Sequence, residues 1–213
     1  MTLECIDFSD DTLTQLEKIV FESPLDLQKK LCVEFDGEQG IDEGGLSKEF
    51  FSLIFEKIMQ PDFGLFHETA ENDYMFFNRF QDTEKEFMLV GMLIGLAIYN
   101  GIILDIAFPT VIFKKLAGQP GVFSDLEEFE PEIYRNLSKI LEYDDKTLDE
   151  LELTFVISLP NGDTKEHELE ENCSDKKVTK SNCHEYVELY SDFLLNKSIE
   201  KSVRGIWIIL IRP

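Results

Sequence analysis

The 213-residue chain carries 43 Asp and Glu against 20 Lys and Arg, a formal net charge of −23, with 43% hydrophobic residues and 18 Phe. That apolar content suits a globular chain large enough for one large domain or two small ones, and argues against disorder. The charge repels phosphate backbones and anionic headgroups, so nucleic acid and membrane surfaces are set aside and a basic protein partner is favoured.

In chain order, Asp11 precedes a periodic apolar set (Leu13, Leu16, Ile19, Val20) that Pro24 ends, which predicts a first helix. Leu31–Phe35 alternates and predicts a short strand. The stretch GEQGIDEGGLSKEFF, Gly37–Phe51, is a glycine-punctuated turn entering a helix to about Met59, with Gly40, Gly44 and Gly45 at positive φ or at close backbone approaches. Pro61 stops that helix, and Leu65–His67 with Tyr74–Asn78 predict a small hairpin.

The chain is organised around FMLVGMLIGLAIYN, Phe87–Asn100. Thr83 with Glu86 matches a capping box, and Asn100-Gly101 supplies a left-handed stop. An all-round apolar helix is a membrane span or the centre of a core, and this one is shorter than the roughly 20 residues a bilayer needs. It is therefore expected to be buried, with Gly91 and Gly95 admitting another backbone. Beyond it, a helix near Val111–Leu116, a loop at Gly118–Gly121 and a helix from Pro131 are expected. Ile133, Leu137, Ile140 and Leu141 form the apolar stripe of that last helix. Leu151–Leu159 alternates as a strand, Asn161–Asp163 signals a turn, and Glu166–Leu169 completes a hairpin. Asn182–Asn196 predicts a helix, and Ile206–Ile211 is an uncapped apolar run suited to burial or aggregation.

Motifs for chemistry are sparse. No P-loop, GxGxxG or HExxH occurs, and the calcium-like stretch Asp36–Ser47 has Ile41 at the sharp-turn position and Ser47 where a bidentate Glu belongs. Three scattered histidines, His67, His167 and His184, do not make a zinc site, so neither a metal nor a cofactor is expected. Cys5, Cys32, Cys173 and Cys183 lack CxxC spacing, and no signal-peptide pattern follows Met1, which predicts reduced thiols in the cytosol or nucleus. Cys183-His184 are neighbours and so point in different directions on a helix, which does not make a nucleophile–base pair. Two readings remain for the stripe Ile133/Leu137/Ile140, the strand residues Leu151 and Leu153, and the tyrosines Tyr186 and Tyr190. They line a docking groove, or they are the core of a small subdomain.

The phrases GEQGIDEGGLSKEFF, GLAIYNGIILDIAFP, PEIYRNLSKILEY and LYSDFLLNKSIEK, in this order, resemble the N-terminal lobe of HECT-type ubiquitin ligases, most nearly the E6-associated-protein type. The resemblance runs from about Leu31 to Lys201. It implies an α+β fold: a mostly helical large subdomain, 1–131 with 200–213 as its return segment, and a smaller α/β subdomain, 132–199, that docks a ubiquitin-conjugating enzyme. It assigns the docking groove to Ile133, Leu137, Ile140, Leu151, Leu153, Tyr186 and Tyr190, with ubiquitin itself as a further partner. Relatives often carry Phe where Tyr186 stands, and the added hydroxyl bears on affinity and on the choice of conjugating enzyme.

The resemblance also implies catalysis by two acyl transfers through a cysteine in a separate C-terminal lobe, set in a Thr-Cys context that none of the four cysteines here has. Where relatives continue their last helix with aromatic positions, this chain runs SVRGIWIILIRP. The expectation is a truncated or alternatively ended ligase product that docks the conjugating enzyme without completing transfer. The alternatives are a transferase using one of its own thiols, such as Cys183, and a non-functional fragment that folds poorly.

Overall fold

In the computed structural model the described residues are 6–7, 33–34, 45–69, 71–79, 84–158 and 166–210. Two-residue strands β1 (Ile6–Asp7) and β2 (Val33–Glu34) pair in parallel. Helix α1 (Gly45–Met59) leads through a 3₁₀ turn at Pro61–Phe63 to the antiparallel hairpin of β3 (Phe66–Glu68) and β4 (Met75–Phe77). Then follow α2 (Glu84–Tyr99), α3 (Thr110–Leu116), α4 (Leu126–Phe129), α5 (Pro131–Glu142) and α6 (Asp145–Leu151). The hairpin of β5 (Val156–Ser158) and β6 (Glu166–Glu168) precedes α7 (Cys183–Leu195) and α8 (Glu200–Leu210). The fold is thus α+β and mostly helical. It divides into two compact units, one of Met1–Glu68, Met75–Ala107 and Glu200–Pro213, the other of Thr69–Tyr74 and Phe108–Ile199.

In the first unit, α1 buries Phe50, Phe51, Ile54, Phe55 and Ile58, the stripe its spacing dictates. Gly45 opens this helix with open space around its Cβ position, so neither positive φ nor close approach explains it, contrary to expectation. Phe87 of α2 packs edge-on against Phe66 and Phe77 of the hairpin, with ring centroids 5.5 and 5.4 Å apart. Helix α2 is buried around most of its circumference, but its last turn is not: Ile98 is 67% exposed and Tyr99 57%. Its stop is as predicted, with Gly101 at φ 65° and Asn100 Nδ2 donating to Leu96 O at 2.7 Å.

Helix α8 lies against α2. The apolar run beginning at Ile206 is therefore helical, and Ile206 itself is buried. A Cβ on Gly91 would sit 2.7 Å from Ile206 O, and one on Gly205 would sit 2.6 Å from Glu84 O, so each glycine lets the other helix's backbone approach. Gly95 plays no such part, its nearest neighbour being the Leu210 side chain at 3.5 Å. Arg204 adds a two-pronged ion pair to Glu84, at 2.8 and 2.6 Å. The Asp11–Pro24 helix, Gly40, Gly44, the Thr83 cap and the Asn161–Asp163 turn fall outside the described residues.

Candidate docking surface

The second unit is built around α5 and α7, which pack against each other. Pro131 starts α5 at its first turn, where the missing N–H is harmless. At the other end, Lys180 Nζ donates to Leu141 O and Tyr143 O at 2.7 and 2.9 Å, satisfying carbonyls the helix leaves open. Asn196, just past α7, holds the loop at Gly121 by accepting from Gly121 N and donating to Gly121 O, both at 3.0 Å.

Leu151–Leu159 is not one strand. Asp144 caps a short helix by accepting from Thr147 N at 2.8 Å, and α6 runs as far as Leu151. Hydrogen bonding from the Thr147 side chain, and then from its backbone N–H, holds the Asp144 carboxyl below its ordinary range. Glu152 then takes a left-handed conformation at φ 50° and turns the chain, so strand pairing starts later. Val178 N donates to Leu153 O, Thr154 bridges Lys177, and β5 proper begins at Val156.

The seven candidate residues separate into two sets. Leu137, Ile140 and Tyr186 are buried together with Leu148, Phe155 and Val187. Tyr186 meets Phe155 edge-on at 5.4 Å, and Lys176 lies 3.9 Å above the other ring of that pair, Phe155, while pairing with Glu170 and Glu185. Burial pushes the Tyr186 phenol above its usual range, and neighbouring Tyr190 pushes it further. This set is the core of the subdomain. Ile133, Leu153 and Tyr190 are half-buried, and Leu151 is 46% exposed. The Tyr190 ring lies edge-on to that of Tyr186, 5.9 Å away.

Exposed carboxylates surround Leu151 along the chain: Asp144, Asp145, Asp149, Glu150 and Glu152. The surface therefore offers an apolar contact in an acidic setting. Sequence reasoning missed α6 and the supporting lysines Lys176 and Lys180. The Asp144-x-x-Thr147 spacing was the available signal for the helix, whereas nothing local marks either lysine. The two described thiols offer no nucleophile at the surface. Cys183 is 0% exposed with its Sγ donating to Lys180 O, and Cys173 is buried with its Sγ donating to Phe155 O.

The α+β, mostly helical fold is the class that the resemblance to HECT ligases implies. The profile described as HECT-domain (ubiquitin-transferase) matches residues 52–207. Among curated proteins, mouse "Probable E3 ubiquitin-protein ligase HECTD2" is 41% identical over 192 residues, 83% of this chain and 25% of that protein. "Probable E3 ubiquitin-protein ligase mug30" of Schizosaccharomyces pombe is 37% identical over 197 residues, 90% of this chain and 24% of that protein. Human "Probable E3 ubiquitin-protein ligase HERC4" is 37% identical over 179 residues, 82% and 17% respectively. The chain belongs to the HECT-domain family. It spans a quarter or less of the length of these relatives.

Proposed function

We propose that this segment is the part of a HECT-type ubiquitin ligase that docks a ubiquitin-conjugating enzyme, through the small subdomain 132–199. The observation that carries the reading is Leu151, an exposed leucine at the end of an acidic helix, with half-buried Leu153 two residues on and half-buried Tyr190 on α7. Leu137, Ile140 and Tyr186 support that surface from beneath and do not meet the partner. The Tyr186 hydroxyl thus acts on how Tyr190 is seated, not by direct contact. Transfer through Cys183 is disfavoured because a fully buried thiol is out of reach of a thioester.

A conjugating enzyme has to leave between transfers, at about 1 per second or faster. With association at ~10⁶–10⁷ M⁻¹s⁻¹, that sets the dissociation constant at about 0.1–1 μM or weaker. The carboxylates around Leu151 favour a basic face on the partner and make association salt-dependent. Calorimetric titration against a panel of ubiquitin-conjugating enzymes tests this. Leu151→Asp should weaken binding about tenfold or more while leaving the thermal transition in place. Unchanged binding by that variant overturns the assignment of Leu151.

A further inference from the structure

The first unit carries an open groove that shares no residue with the surface proposed for docking. Between α1 and the segment after α2 lies an open cleft of about 690 Å³. One wall is Lys48, Ser52, Phe55, Glu56 and Met59 of α1; the other is the segment Gly101–Ala107. A smaller hollow of about 300 Å³ shares Glu56, Met59 and Met75 with it and adds Glu68, so the two form one groove. The segment's far end is tied to the β3–β4 hairpin by Met75 N donating to Ala107 O at 2.8 Å, and its near end to α2 by Ile102 N donating to Ala97 O at 2.8 Å.

Between those ties, the backbone of Ile103, Leu104, Asp105 and Ile106 has no hydrogen-bond partner among the described residues. Its side chains alternate: Ile103, Asp105 and Ala107 are exposed, Leu104 and Ile106 half-buried. Ile103 is 96% exposed, so its side chain is open to an incoming chain. A run of free N–H and C=O groups with period-two side chains is a template for one more strand. The groove's charges decide what kind: among the described residues that line it, three carboxylates, Glu56, Glu68 and Asp105, stand against one amine, Lys48. Met59 and Met75 supply a floor that adapts to different apolar side chains.

We propose that this groove binds an extended, basic stretch of a partner polypeptide. The incoming strand pairs its backbone with Ile103–Ile106. Its alternate apolar side chains contact Phe55, Met59 and Met75, and its lysines or arginines meet Glu56, Glu68 and Asp105.

The test uses the whole chain and a blocked peptide of alternating lysine and valine, with the same peptide N-methylated at every second residue. Binding is followed by amide NMR shifts. The expected result is saturable shifts at Ile103–Ala107 and slowed amide exchange there, neither produced by the methylated peptide. Asp105→Lys, at an exposed position, should weaken binding about two- to fivefold. No shift at Ile103–Ile106, or equal binding by the methylated peptide, overturns the proposal. So does a shift that tracks protein concentration without peptide, since the edge would then pair with a second copy of this chain.

Discussion

Gly91→Ala probes the closest approach between α2 and α8. In an ordinary helix interior, glycine to alanine stabilises by about 1 kcal/mol. At Gly91 the new methyl would lie 2.7 Å from Ile206 O and 2.8 Å from Ile206 Cα, both main-chain atoms of the facing helix. A side chain could rotate away; α8 has to move as a body. Overpacking of this kind costs about 1–3 kcal/mol, and backbone neighbours place it at the upper end. The net expectation is a loss of ~2 kcal/mol, or about 4–8 °C in Tm for a domain of this size. Gly95→Ala is the internal control. There the methyl meets only Leu210 Cδ2 at 3.5 Å, an ordinary contact, so the variant should gain about 0.5–1 kcal/mol. Thermal and denaturant melts of both variants read the difference. If Gly91→Ala is as stable as Gly95→Ala, α8 does not pack on α2 as described.

Three further outcomes follow from the same packing. Leu137→Ala and Tyr186→Ala remove buried core side chains and should each cost about 2–5 kcal/mol in denaturant melts, so loss of binding in either is not evidence of contact. Leu151→Ala, on the surface, should change stability by less than about 0.5 kcal/mol. His67 is held neutral, its pKa lowered to about 4 from 6.5 by burial and then by the charge of Arg79. The unfolded chain therefore takes up a proton first as pH falls, so this contribution is intact above 6.5 and is lost between 6.5 and 4. Discounted for the partly exposed ring, the loss is on the order of 1–2 kcal/mol. His67→Gln should flatten that part of the stability–pH curve.

The central helix was legible because thirteen nearly continuous apolar residues between a capping signal and Asn100-Gly101 admit little else. Its exposed last turn was not, because periodicity does not reveal where neighbouring elements stop covering a helix. The β-prone composition of Ile206–Leu210 hid α8, whose helical state rests on packing across Gly91 and Gly205. For Leu151 the alternation of LELTFVISL outweighed the cap at Asp144, and the left-handed Glu152 that divides helix from strand has no sequence mark. The seven candidate residues are all apolar or aromatic, which marks them equally for a core or for a contact surface. Which of them face the subdomain's own core and which face outward is set by the packing of α5 on α7, which single-sequence spacing does not carry.

The docking assignment is tested most directly by titrating isotopically labelled chain with a ubiquitin-conjugating enzyme and mapping the amide shifts. The account predicts saturable shifts concentrated at Leu151, Leu153 and Tyr190, weakened by added salt and lost in Leu151→Asp. Shifts confined to other parts of the chain, or binding that Leu151→Asp leaves intact, would contradict it.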